Sequence, residues 1–361
     1  MSLRSRIIER IRSRGPMTVA EYMTVCLLDP VDGYYPTKNP LGADGDFVTA
    51  PEISQMFGEM LGLWVVQGWE DMGQPTRLNL VEYGPGRGVM MDDILRAVRV
   101  KPDCSDALNV YLIEVGAALE AAQVRALSNA PAPVNWIKTL NDVPDEPILI
   151  IGNEYLDCLP VRQFILRGEN WHERVVVEKN DDLQFAISPE PVSQVVRSGF
   201  STMGQQARDG DLLEVGVAVQ QVIDDISARL KYGTGRALFM DYGPKQTEFV
   251  DTLQALKKHK KVDVFSDPGN MDLTVRVNFG ALTEFAKSRG LHIHGPVTQA
   301  EFLSRLGIET RAVMLARARP DAEPELARQL ARLMMPDQMG EIFKFVSLQS
   351  ARLQVPLGFE D

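Results

Sequence analysis

Three glycines at alternate positions, Gly84, Gly86 and Gly88, stand between the apolar run LNLVEY and the helical pattern VMMDDILRAV. Strand, glycine turn and helix in that order commit this part of the chain to a βα unit whose backbone something can approach closely. The helix N-terminus at such a turn also points free N–H groups toward the ligand crevice. The alternation continues with a strand at LNVYLIEV, a helix at AALEAAQVRALS, and strands at VNWI and PILIIGNE. Two of these strands are continuous apolar runs, as expected in a parallel sheet covered on both faces. The fold class is therefore α/β, built on a parallel sheet covered on both faces.

The pattern changes on either side of this core. VRQFIL, WHERVVVE and LQFAI alternate in polarity between GEN and NDD turns, and read as an inserted antiparallel meander at about 160–190. A helix at GVAVQQVIDDISARL returns the chain to a strand at GRALFMDYG. A helix at FGALTEFAKSR, a strand at LHIHG, helices around Ala300 to Met335 and a strand at EIFKFVSLQS follow. Residues 1–75 read as a helical extension carrying a long Gly/Pro/Asp loop, and 76–361 as the core. From Ser54 a helix is predicted with Met56, Met60, Leu63, Trp64 and Gln67 on one side, ending before Gly73 and Pro75.

The N-terminus interleaves Arg4, Arg6, Arg10, Arg12 and Arg14 with Leu3, Ile7, Ile8 and Ile11. Such a segment reads either as a targeting peptide or as a folded first helix burying its apolar stripe. Glu9 and the continuation GPMTVAEYM favour the folded helix. The 361 residues carry 38 Lys+Arg against 49 Asp+Glu, a formal charge of -11, which argues against a nucleic-acid-backbone binder. The cysteines Cys26, Cys104 and Cys158 are odd in number and far apart, which favours a reducing compartment over a disulfide framework or a zinc site. No apolar run is long enough to span a membrane.

The turn itself narrows the ligand. A dinucleotide fingerprint would have a glycine where Val89 stands, so the pattern is G-x-G-x-G. No G-x-x-x-x-G-K-[ST] phosphate loop occurs. Glu82, two residues before Gly84, would repel a pyrophosphate but pair with an ammonium such as that of S-adenosylmethionine. Glu114, ending the second strand, can accept ribose hydroxyls in either cofactor class. The plain alternative is a surface acid beside a tight turn. Asn153 and Glu154 end the fourth strand beside the same crevice, where carboxylates can hold a guanidinium bidentately. Asp157 is similarly placed, Cys158 reads as packing, and Asp241 and Tyr242 are candidates to line the crevice.

Six motifs in order, GPMTVAEYM, DPVDGYY, GDFVTAPEISQMFGE, VEYGPGRG, GNEYLDCLPVRQF and DPGNMDLTVRVNF, make nearly the whole chain resemble the MidA / complex I assembly-factor methyltransferases (the DUF185 class). The resemblance implies a class I S-adenosylmethionine-dependent methyltransferase that symmetrically dimethylates an arginine on the quinone-site subunit of respiratory complex I, releasing S-adenosylhomocysteine. With a Rossmann-like core it implies Glu82, Gly84, Pro85, Gly86, Gly88 and Glu114 as cofactor residues, with Asn153 and Glu154 beside the reacting centre and Asn153 counted among the cofactor residues. Because paired carboxylates localise a guanidinium's charge, the candidate catalytic acids are Glu154 and Glu52, with Asp46 and Asp157 behind them. The GDFVTAPEIS loop, with Phe47, would close over them. Asn278 stands where the family pattern has an aspartate, keeping an acceptor without the charge. No metal, nucleic acid or membrane span is expected. The compartment would be the cytoplasm for a bacterial chain and the mitochondrial matrix for a eukaryotic one. The rival reading is a cofactor-binding assembly scaffold with little turnover.

Overall fold

The computed structural model describes residues 1–37, 49–194, 196, 207–351 and 353–360. The chain begins with α1 (Leu3–Arg14), a two-residue strand β1 (Met17–Thr18), α2 (Val19–Leu28) and the short α3 (Tyr34–Thr37) and α4 (Ala50–Ile53), then the long α5 (Gln55–Asp71). Next come β2 (Leu78–Tyr83), α6 (Val89–Val98), α7 (Pro102–Ala107), β3 (Leu108–Ile113), α8 (Ala117–Ala126), β4 (Val134–Ile137) and β5 (Ile148–Asn153). The strands β6 (Arg162–Arg167), β7 (Asn170–Lys179), β8 (Asp182–Pro191) and β9 (Leu212–Val215) are followed by α9 (Val217–Leu230) and β10 (Gly235–Tyr242). The remainder is β11 (Gln254–Lys257), β12 (Lys260–Val262), β13 (Asp272–Thr274), α10 (Phe279–Ser288), β14 (His292–Thr298), α11 (Gln299–Arg305), α12 (Ile308–Ala318), α13 (Glu323–Met334) and β15 (Phe343–Gln349).

The central sheet has the order β14-β15-β10-β5-β2-β3-β4, with β15 antiparallel to both of its neighbours and the five strands from β10 to β4 parallel. Both faces are buried, and successive residues feed different cores. Leu78, Leu80, Leu149, Ile151, Leu238 and Met240 join the side of α5 and α6, whereas Val81, Tyr83, Ile148, Ile150, Ala237 and Phe239 join the side of α9 and α10. This is why these strands read as unbroken apolar runs.

One detail of the predicted α5 stripe differs. Leu63 is exposed and Gln67 half-buried, and the buried residues include Met56, Phe57, Gly58, Glu59, Met60, Leu61, Gly62, Trp64, Val65, Gly68 and Trp69. The helix is sandwiched between α6 and the C-terminal helices, so two faces are buried and the exposed strip falls at Leu63.

The inserted antiparallel sheet has the order β1-β7-β6-β9, with β8 on β7. It therefore continues past the meander to Val215 and takes a strand from the N-terminal segment. A three-stranded sheet, β12-β11-β13, which periodicity does not reveal in strands this short, lies nearby. Leu3, Ile7 and Ile11 of α1 and Tyr22, Cys26 and Leu27 of α2 pack with Val176, Leu183, Ala255 and Leu273 of these sheets. The arginine face of α1 is paired across its surroundings: Arg4 with Asp182, Arg6 with Asp29 and Asp32, Arg10 with Glu21, and Arg12 with Glu178 and Asp181. The stripe is thus the outer face of a folded helix.

Candidate active site

The strand order reverses direction at β2, which has β3 on one side and β5 on the other. A crevice opens beyond the carboxyl ends of strands at such a switch point. Here it is a cavity of about 230 Å³, walled by the end of β2, the glycine turn, the end of β3, the β5 end and its following loop, α3, and the start of α4. Glu52, Glu82, Gly84, Pro85, Gly86, Glu114, Asn153, Glu154 and Asp157 all line it.

The turn needs its glycines. Gly84, Gly86 and Gly88 have φ of 60°, 54° and 83°, a region costly for other residues. A Cβ on Gly84 would stand 3.0 Å from the Tyr155 ring, and one on Gly88 would stand 3.3 Å from the Gln123 Cα. Gly88 does not line the cavity; it lets α8 close against the turn. There Gln123, fully buried, donates from Nε2 to the Gly86 carbonyl at 2.7 Å and to Glu114 at 2.9 Å, and accepts from Trp136 Nε1 at 2.9 Å. This residue ties the turn to the second-strand acid. Its only sequence signal is a glutamine on the inner face of a helix.

The two cofactor acids differ sharply. Glu114 Oε1 accepts from the N–H groups of Val115 and Gly116 at 2.8 and 2.7 Å, and Oε2 accepts from Gln123. Burial raises its pKa against these bonds. Glu82 is 1% exposed and its Oε2 has no hydrogen-bond partner. Burial, with the Glu114 charge beside it, pushes its pKa to about 8. A buried carboxyl group at a cavity wall with an oxygen that no protein donor engages is a candidate partner for a cationic group of a ligand.

Beyond β5 the chain bends sharply. Glu154 has φ 49°, and its N–H donates to the Met240 carbonyl at 2.9 Å. Its side chain turns into the cavity, where Oε1 accepts from Ala50 N and Asn153 Nδ2, both at 3.3 Å. Burial pushes its pKa to about 7. Asp157 is held well above the usual carboxylate range by burial and by Asp241, Asp272 and Glu154. Asp272, from the unpredicted β13, lines the cavity and accepts from Tyr35 Oη at 3.2 Å. Burial, with Asp157 and Asp272 nearby, raises the Cys158 thiol, consistent with packing.

Two expectations about the wall are corrected. Asp241 does not line the cavity; it accepts from Leu156 N and Asp157 N at 2.9 and 3.1 Å, holding the loop in shape from behind. Tyr242 reaches away to Thr274 and Gln254, joining the three-stranded sheet to the core. Asn278 caps α10, accepting from Ala281 N at 2.9 Å, and lines a separate cavity of about 60 Å³. Asp46 and Phe47 lie outside the described residues. Glu52 is in the wall but already partnered: Arg87, within the glycine turn, donates to it from both Nε, at 2.9 Å, and Nη2.

Residues 60–297, well over half of the chain, match the family described as "putative S-adenosyl-L-methionine-dependent methyltransferase". The chain belongs to that family. It is 35% identical to the mitochondrial protein arginine methyltransferase NDUFAF7 of Xenopus tropicalis over 96% of this chain and 85% of that protein. It is 34% identical to the human protein of the same name, over 95% and 82%. It is also similar, with a TM-score of 0.86 and 26% identity over 99% of this chain and 93% of the other, to a Burkholderia thailandensis crystal structure with S-adenosyl-homocysteine bound. The fold is thus that of a class I methyltransferase, and the cofactor of the family is S-adenosylmethionine.

The residues present fit that cofactor. The Glu82 carboxyl group, with an oxygen that no protein donor engages, suits its ammonium, the glycine turn leaves room for close approach, and Glu114 is fixed for a ribose. Among the described residues no group of histidine, cysteine and carboxylate side chains could hold a metal ion, and no helix is long and apolar enough to cross a membrane.

Proposed function

We propose that this methyltransferase acts on protein arginine, forming symmetric dimethylarginine on the quinone-site subunit of respiratory complex I and so supporting assembly of that complex. The observation that carries the arginine reading is the charge of the cavity wall. Glu52, Glu82, Glu114, Glu154, Asp157 and Asp272 face it, against a single described cation, Arg87. A zwitterionic cofactor accounts for Glu82, and its ribose for Glu114. The acids that remain, Glu154 and Asp157 with Asp272 behind, suit a positively charged acceptor. The relatives named as protein arginine methyltransferases support the same substrate class, and the six shared motifs support the complex I target. A matrix compartment suits a eukaryotic chain, as in the mitochondrial relatives, and the cytoplasm a bacterial one.

Arginine is always protonated in water, so its nitrogen lone pairs are delocalised and poorly nucleophilic. Carboxylates on two of its nitrogens localise the positive charge there and leave the third nitrogen richer in electrons. When bound, the cofactor supplies the electrophilic methyl group. Glu154 accepts N–H groups and orients the guanidinium; Asp157, once the guanidinium's charge holds it ionised, shares that charge and takes the released proton. Asn153 holds Glu154, and α4 above them excludes water. Glu52 would join them once its own arginine releases it, and Asp46, outside the described residues, is proposed as a further acid.

The test is a transfer assay with methyl-labelled S-adenosylmethionine and extract from cells lacking this protein. Symmetric dimethylarginine on the quinone-site subunit, absent with Glu154→Gln, is the expected result. No label, despite cofactor binding and rescue of assembly by Glu154→Gln, would establish the scaffold instead.

A further inference from the structure

Arg87 and Glu52 are partners inside a cavity whose remaining charged walls are all acidic among the described residues. The pair joins two different parts of the site. Arg87 lies between Gly86 and Gly88, in the turn against which the cofactor's amino-acid end would lie. Glu52 belongs to α4, which covers the crevice and is pinned a second time by Ala50 N on Glu154. The Glu52 side chain is 11% exposed and that of Arg87 37%, so the arginine is the member free to swing.

S-adenosylmethionine carries an ammonium and a carboxylate on one carbon. Glu82 offers the ammonium a partner. The carboxylate, beside so many acids, needs a cation, and Arg87 is the described one in the wall. We propose that Arg87 is the anchor for the cofactor's carboxylate, and that it is held by Glu52 until cofactor arrives. Exchange of partners frees Glu52, in the covering helix, to receive the guanidinium of the second substrate. Cofactor therefore binds first and makes the arginine site complete. This last step rests on the arginine reading above; the exchange itself does not.

Two ligands separate the exchange from a merely structural role. S-adenosyl-homocysteine has the amino-acid end, whereas 5′-methylthioadenosine keeps the nucleoside and thioether and lacks both ammonium and carboxylate. Binding of each is measured by calorimetry on the full chain. Arg87→Met is expected to weaken S-adenosyl-homocysteine by about ten-fold or more, the value of a charge-assisted bidentate pair, and to leave 5′-methylthioadenosine unchanged. Glu52→Gln is expected to strengthen S-adenosyl-homocysteine several-fold, because the competing carboxylate is gone. In the double variant that gain should vanish, which distinguishes release of Arg87 from a general loss of negative charge.

Equal losses for both ligands in Arg87→Met would overturn the proposal, since the arginine would then only shape the turn. So would unchanged or weaker S-adenosyl-homocysteine binding in Glu52→Gln, a conservative variant that tests the exchange even if Arg87→Met does not fold. A failed arginine-transfer assay alongside the expected binding cycle would overturn the substrate reading and leave the exchange standing.

Discussion

The carboxylates of Glu82 and Glu114 face one cavity, but protein donors engage both oxygens of Glu114 while Glu82 Oε2 has no partner. One acid is held in place by the protein and keeps acceptor capacity for a ribose; the other has an oxygen that no protein donor engages.

Stability and binding should therefore respond in opposite directions to Glu82→Gln. The unliganded variant loses a buried carboxylate and should gain roughly 1–3 kcal/mol near neutral pH, given ~1.4 kcal/mol per pH unit of displacement. Its affinity for S-adenosyl-homocysteine should fall by about ten-fold or more, because an amide cannot neutralise the ammonium. Thermal melts with and without ligand check both.

The wild-type protein should show the corresponding pH dependence. Glu82 and Asp241, each pushed up to about 8, keep protons in the fold that the unfolded chain has already released. The fold binds the extra protons, so the stability of the unliganded protein should fall as pH rises from about 4.5 through about 8. Over the upper part of that window S-adenosyl-homocysteine should bind more tightly and release a proton, seen as a buffer-dependent binding enthalpy.

Glu154, with its pKa near 7, must be ionised to accept guanidinium N–H groups. At saturating cofactor, kcat/KM for an arginine peptide should rise with pH and level off above about 7. Glu154→Gln should lower it by about a hundred-fold, at the low end for a misplaced acid–base group, and abolish that limb of the profile. Binding of S-adenosyl-homocysteine should persist.

Gln123→Leu should disrupt the turn without touching any ligand. It removes three buried hydrogen bonds and leaves Trp136 Nε1, the Gly86 carbonyl and Glu114 short of partners. A loss of about 2–4 kcal/mol is expected from denaturant melts, together with weaker binding of 5′-methylthioadenosine.

Arg236 is fully buried and bonded to Asp71, Gln349 and the Gln354 carbonyl, joining α5 to β10 and the C-terminal segment. Arg236→Met should destabilise by about 3–5 kcal/mol, because Asp71 is left as an unpaired buried charge. A second change, Asp71→Leu, should recover much of that loss in the same melts.

The strand–turn–helix order, the inserted meander and the acids at strand ends are local properties, and they were legible in the sequence. Apolar runs report two covered faces, and glycines at positive φ report a turn that other side chains resist. The sequence also carried the family likeness, through motifs whose order needs no fold to be seen. Partnerships between distant segments were not legible. Arg87 meets Glu52 across 35 positions, Asp272 reaches the cavity from a three-residue strand, and Gln123 joins turn to acid through a helix face. Asp241 looked like a wall residue because it ends a strand; the loop folded over it takes up Oδ2, and Tyr242 N donates to Oδ1. Residue type and local period determine which elements form and which groups end them, whereas tertiary packing decides which buried charges are satisfied and which await a ligand.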